Sequence, residues 1–164
     1  DLTLTGPLVA DLFISTTGTD ADFVAKLIDV YPNEEDSSER TYAGTRRFNV
    51  PMQGYQMLVR GEVMRAKFRN SYEAPEALAP GQVVELRFRM PDVAHTFRAG
   101  HSVMVQIQSS WFPLVDRNPQ KFMDIYQASA EDFQAATHRV YRSASRPSRL
   151  ILTVPSFSPL FGAN

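Results

Sequence analysis

Apolar side chains fall on every second position in one short segment of this chain after another, and no stretch sustains helical spacing. Period-two alternation sends one set of side chains to one face of an extended strand, so it restricts the fold to sheets. Leu8, Ala10, Leu12 and Ile14 alternate with Val9, Asp11, Phe13 and Ser15, and Gly18 ends that strand. Phe23, Ala25 and Leu27 interleave with Val24, Lys26, Ile28 and Val30; apolar residues on both faces predict a strand central to its sheet. A tight polar turn, Thr16 to Asp22, joins the two. Gln56 to Arg60 and Glu62 to Arg69 read as two short strands or one kinked strand, with Gly61 as a bulge. Val84, Leu86, Phe88 and Met90 oppose Glu85, Arg87 and Arg89 in a half-exposed strand. Val103, Val105 and Ile107 alternate with Met104, Gln106 and Gln108, which predicts a strand in the middle of the fold that sends one set of side chains into a core.

Val140 with Arg142, and then Leu150, Leu152 and Val154, supply the last strands, separated by the turn around Pro147. Ser129 with Asp132 three residues on is an N-cap pattern for a turn or two of helix through Gln134. Between Pro32 and Gly54 neither period holds, and this acidic stretch is expected to be a long, solvated loop insertion. The tail from Ser156 to Asn164 reads as loosely held. Many short strands with turn punctuation and almost no helix predict an all-β, two-layer antiparallel sandwich.

The 164 residues suit one domain, large enough to bury roughly 70% of the surface exposed when unfolded. A net charge of -1, with arginines scattered along the strands, provides no field for nucleic acid. No apolar run approaches the ~20 residues of a membrane span. The chain contains no Cys, which removes disulfides, zinc thiolates and thiol nucleophiles and leaves the compartment open. It begins at Asp1 with neither Met nor a leader pattern, as expected of a piece of something larger.

Four stretches carry a resemblance. They are Gly100 to Pro119 (Gly-His-Ser-Val-Met-Val-Gln-Ile-Gln-Ser-Ser-Trp-Phe-Pro-Leu-Val-Asp-Arg-Asn-Pro), Asn70 to Leu78, Pro91 to Phe97, and Thr137 to Arg142. With these stretches in their order along the chain, and over about Gly6 to Val154, the sequence resembles the C-terminal, non-catalytic domain of the X-Pro dipeptidyl-peptidase and cocaine-esterase (CocE/NonD) serine hydrolases. Within that family it is most like the alpha-amino-acid ester hydrolase and glutaryl-cephalosporin acylase branch. The resemblance narrows the sandwich to a jelly roll of the galactose-binding-like type. It implies a domain that packs on an α/β-hydrolase catalytic domain of the same chain and helps wall the substrate cleft, needs no cofactor, and has no turnover alone. The triad serine, aspartate and histidine would lie in that other domain, and homo-oligomerisation of the intact enzyme stays open. The competing reading is an independent carbohydrate-binding sandwich.

Candidate chemistry is judged residue by residue. Gly100-His101-Ser102 begins like a nucleophile elbow, but Met104 stands where the second glycine is needed and the segment continues as a strand, so Ser102 is read as a strand hydroxyl. His95, His101 and His138 lack close metal-ligand spacing, and His95 and His101 are read as hydrogen-bonded turn histidines or as residues approaching a neighbour's active site. Asp20 and Asp22 suit either a calcium-holding turn or a turn whose carboxylates accept backbone N–H bonds. Trp111, Phe112, Asp116, Arg117 and Asn118 are expected to form a clamp or interdomain surface, with Asp116 paired to Arg60, Arg65 or Arg69, the alternative for Asp116 and Arg117 being direct contact with substrate. Trp111, Phe112, Tyr72 and Tyr126 would make an aromatic ledge, either packing or holding sugar.

Overall fold

The computed structural model describes residues 1–33 and 52–155; most of the 32–54 loop and the 156–164 tail lie outside the described residues. Nine strands run in chain order among them: β1 (Leu2–Thr16), β2 (Asp22–Val30), β3 (Gln56–Arg65), β4 (Val84–Phe97), β5 (Ser102–Gln108), β6 (His138–Val140), β7 (Arg142–Ser143), β8 (Arg146–Pro147) and β9 (Arg149–Ile151). One sheet has β1 between β4 on one side and β6 and β9 on the other; the second has the order β3-β2-β5. All pairings within these sheets are antiparallel. The β-sandwich expected from the alternation is the architecture of the chain.

The core lies between the sheets and takes the alternate residues of their central strands. Leu4, Leu8, Ala10, Leu12 and Ile14 enter from β1, Phe23, Ala25 and Leu27 from β2, and Leu86, Phe88, Met90, Val93 and Phe97 from β4. Strand β2, apolar on both faces, is central to its sheet as its pattern requires. Its second face, Val24 and Ile28, is also buried, and between them the Trp111 ring lies against Lys26.

Three elements differ from their sequence pattern. Strand β3 is continuous, and its extra residue is Val59, since Leu27 pairs with Arg60 while Ile28 pairs with Leu58. Gly61 is instead the place where the Trp111 ring lies on the sheet: a Cβ there would stand 2.6 Å from the indole. After Arg65 the chain leaves the sheet in a 3-10 turn, Ala66–Phe68, drawn inward where Ala66 donates its N–H to the Ala21 carbonyl (2.8 Å). The Ser129 pattern gives a single 3-10 turn, Ala130–Asp132, in which Asp132 Oδ2 accepts from the Ser129 N–H and hydroxyl (both 2.9 Å). Lys121 and Ser129 together hold the Asp132 carboxyl down at about 2.

Strand β5 is the larger correction. Its valines face the core side, with Val103 opposite Asp29 and Val105 opposite Leu27, but among the described residues β5 is an edge strand rather than a middle one. Val103 is 43% and Val105 47% exposed, and only Ile107 packs against the core. Periodicity reports which face a side chain takes, and a second layer is needed to bury it.

The segment linking β1 to β2 passes from one sheet to the other, and two loops, β3–β4 and β5–β6, are each tied to it twice. Gly81 donates to the Thr16 carbonyl (2.7 Å), Leu78 to the Thr19 carbonyl (2.8 Å), Thr17 to the Thr137 carbonyl (3.1 Å), and Thr19 to the Gln120 carbonyl (3.1 Å). Gly18 is required here by close approach, because an added Cβ would overlap the Gln120 carbonyl oxygen. Gly18→Ala is therefore expected to cost about 1–3 kcal/mol through overpacking against backbone. Urea denaturation would show this as a lowered midpoint with an unchanged slope; a midpoint equal to wild type would mean the corner yields.

Candidate functional site

The corner between β1 and β2 contains two buried carboxylates, and sheet register explains how they are held. Asp22 opens β2 directly opposite Arg65, the last residue of β3, so the antiparallel pairing puts opposite charges face to face. Arg65 Nε and Nη2 donate to Asp22 Oδ1 and Oδ2 at 2.8 and 2.9 Å, a bidentate fork on side chains 14% and 3% exposed. The Asp22 hydrogen bond holds Arg65 above its ordinary range, and burial opposes this.

Asp20 has no such cation. Its Oδ1 accepts from the backbone N–H of Ala21 (2.9 Å) and Lys67 (3.0 Å), and Asn118 Nδ2 reaches its Oδ2 at 3.1 Å. Burial nevertheless raises its pKa, and these three donors pull the other way. A carboxyl raised in the folded state contributes stability that is full below its unfolded value and lost as pH rises through its folded value. The donors therefore offset a cost that neutral pH imposes on this corner. Both carboxylates are engaged by N–H donors, the geometry of the hydrogen-bonded turn rather than of a calcium loop. Among the described residues no group of three or more His, Cys, Asp or Glu is arranged to hold a metal ion.

Asn118 joins the two acids. Its Nδ2 also donates to Asp22 Oδ1 (2.8 Å), and its Oδ1 accepts from the Gln120 N–H (2.8 Å). At 7% exposure it anchors the loop after β5 across the end of the β3-β2-β5 sheet. Asp116, expected to be the paired acid, is exposed; Arg65 reaches only its backbone carbonyl, at 3.1 Å. The pairing proposed from sequence is therefore corrected: the guanidinium chosen is Arg65, but the acid is Asp22, because register placed Asp22 nearer. Arg60 donates instead to the Asp92 and Val59 carbonyls, and Arg69 binds the Glu76 carboxylate and carbonyl. Arg117 is exposed, its guanidinium 4.9 Å from the Phe133 ring.

Around this polar centre the loop presents apolar side chains outward. Trp111 is half-buried over Gly61, with Lys26 Nζ 4.4 Å from its ring, so it covers the sheet and does not stand out as a platform. Phe112 is 64%, Leu114 69%, Tyr72 74% and Tyr126 83% exposed. Leu114, Tyr126 and Tyr72 line a cleft of about 370 Å3 whose floor includes Met64, Asp22 and Arg65. Phe112, Tyr126 and Phe133 line a second of about 430 Å3 that shares Asp116, Ile125 and Tyr126 with the first. The two clefts therefore adjoin, with apolar rings and charged side chains lining both.

His95 and His101 lie elsewhere. His95 Nε2 and His101 Nδ1 contact the two oxygens of buried Asp29 at 2.9 and 2.8 Å, at the far end of β2 from Asp22. Asp29 is the partner that sequence reasoning missed; a carboxylate on the apolar face of a strand was the available signal. Ser102 lies exposed at the start of β5, opposite Val30. His138 packs edge-on against Phe23 at 5.5 Å.

Comparison with known proteins gives this geometry a context. Residues 1–151 match the model of the X-Pro dipeptidyl-peptidase C-terminal non-catalytic domain. The chain belongs to this family. The cocaine esterase of Rhodococcus sp. (strain MB1 Bresler) is 28% identical over 151 residues, which are 92% of this chain and 23% of the relative. An alpha-amino acid ester hydrolase structure is 42% identical with a TM-score of 0.84, over 94% of this chain and 24% of that one. An aminopeptidase from a marine sediment Thaumarchaeota archaeon is 40% identical with the same score and the same shares. A CocE/NonD family hydrolase from Staphylococcus aureus shares the fold at 17% identity and a TM-score of 0.62. The chain thus spans about a quarter of the length of these relatives, all of them hydrolases by name, as their non-catalytic C-terminal domain. No helix among the described residues is long and apolar enough to cross a membrane.

Two outcomes are expected. Arg65→Met leaves the Asp22 carboxylate buried and unpaired, at about 3–5 kcal/mol, and Asn118→Ala strips a donor from both acids, at about 1–3 kcal/mol; a double-mutant cycle by urea denaturation should show the two losses coupled. A purely additive pair would mean two independent contacts. Separately, burial lowers the His138 pKa, with Asp22 opposing. Its neutral form is therefore favoured in the fold, and this contribution is full above the unfolded value of about 6.5 and lost as pH falls through the folded value. His138→Phe should accordingly lose less stability than wild type between about pH 8 and about pH 5.5.

Proposed function

We propose that this sandwich is the docking and cleft-shaping domain of a serine hydrolase of the dipeptidyl-peptidase, amino-acid ester hydrolase or acylase type. It contributes no nucleophile and seats an α/β-hydrolase catalytic domain of the same polypeptide on the surface formed by Phe112, Leu114, Tyr126 and Tyr72. The observation that carries this reading is that surface. Four large apolar side chains, each mostly exposed, stand together over a rigid polar clamp, an arrangement that marks an interaction face on a soluble domain. Trp111, Asp116, Arg117 and Asn118 belong to its support: Trp111 fixes the loop to the sheet, Asn118 ties it to the acids, and Asp116 and Arg117 form its polar rim. Aromatic anchors within a polar rim are the usual composition of such interfaces.

In this reading the chemistry is acyl transfer to a serine of the catalytic domain followed by hydrolysis, and the sandwich acts by holding one wall of the cleft in position. The half-covered position of Trp111 gives the carbohydrate-platform alternative no supporting observation. The test is a Phe112→Asp/Tyr126→Asp double substitution in the polypeptide that carries this domain together with its catalytic neighbour. Since both rings are exposed, the sandwich's own unfolding should move by no more than about 0.5 kcal/mol, while kcat/KM for an amino-acid ester should fall at least about tenfold. Unchanged turnover with unchanged stability would remove this surface from the enzyme's working parts.

A further inference from the structure

The free edge of β5 differs from the other sheet edges. An edge strand exposes a row of unpaired backbone N–H and C=O groups, and soluble proteins blunt such rows with charge, proline or a bulge. The β4 edge has Glu85, Arg87, Arg89, Pro91 and Asp92. The β3 edge has its bulge at Val59 and carries Arg60, Glu62 and Arg65. Strand β5 has none of these devices: Ser-Val-Met-Val-Gln-Ile-Gln is uncharged, contains no proline, and pairs with β2 in unbroken register from Ser102 to Gln108.

The flank beside it is also open. Strands β3 and β4 pack against each other and close one side of the sandwich. β5 is on the other side, as are β6 and β9, which lie across β1 from β4. There Val103 and Val105 face the core side yet are 43% and 47% exposed, and Val140, paired with core residue Ile14, is 37% exposed. The sheet containing β5 has three strands where its partner has four. An apolar flank alone could be covered by many things. A flank bordered by a backbone edge that is uncharged and, among the described residues, unpaired calls for an extended strand.

We propose that β5 is completed by one further antiparallel or parallel strand contributed by the same polypeptide from outside residues 1–164. Alternate apolar side chains of that strand would fill the flank over Val103, Val105 and Val140. The occupant is assigned to the same polypeptide because this domain spans only about a quarter of its relatives' length. A tethered strand also binds at an effective concentration that a free partner does not reach. The site is independent of the aromatic surface around Phe112 and Tyr126, so either proposal can fail without the other.

Residue-resolved amide exchange on the polypeptide carrying its native flanking sequence tests this directly. Pairing with β2 alone protects every second amide of β5; a strand on the other edge protects the intervening amides too. The expected result is slowing of both sets by at least about 100-fold relative to an unstructured chain, independent of protein concentration. Val105→Lys should release the intervening set while Val105→Thr, which keeps the β-branched shape, retains it. Fast exchange at the intervening amides in the wild type would overturn the proposal, as would protection that survives Val105→Lys. Protection that disappears on dilution would overturn it in favour of a second copy of the chain.

Discussion

The fold depends on keeping two carboxylates out of water at the corner where the chain passes from one sheet to the other. Asp20 and Asp22 are almost wholly buried, and only Asp22 has a cation. A buried charge is tolerated when its lone pairs are met by donors held in place, and beside the corner's own Ala21 N–H the donors come from β3, the turn after it, and the loop after β5. The acids therefore act as a nucleus of geometry. They determine where β3 stops, where the 66–68 turn enters, and where the loop carrying Phe112 and Tyr126 returns to the sheet.

This arrangement explains why the loop can present a stiff apolar surface without regular structure of its own. Asn118 fastens one end across the acids, and Trp111 fastens the other over Gly61, where the missing side chain lets an indole lie against the backbone. Between these two fastenings Phe112 and Leu114 are directed outward. The remaining family motifs serve the same scaffold. Asn70 to Leu78 wraps Arg69 around Glu76 and ends with Leu78 in the core, and Thr137 to Val140 adds β6 to β1. A second charge layer crosses the outer face of the four-stranded sheet, where Asp11 on β1 binds Arg87 of β4 and Arg149 of β9, its partners in register on either side.

Much of the candidate site was legible before any coordinates, though not its pairing. Arg65 and Asn118 could be singled out because a guanidinium and an amide near a greasy loop need partners. Asp116 was the wrong acid because sequence proximity to Trp111 says nothing about register, and one residue of register decides which carboxylate a strand-end arginine faces. Asp29 with His95 and His101 was missed for a related reason: β2 had to come beside the end of β4 and the turn after it, some seventy positions on, before the acid met either histidine.

By itself the sequence determined the fold class, the strands and the face each side chain takes, because alternation is a local property of an extended chain. It also carried the family, through motifs whose order survives without coordinates. Only the tertiary structure decided which strands are edges, which faces are covered and which charges pair. Those depend on what lies opposite a residue, and in this sandwich the opposite residue is tens of positions away or more.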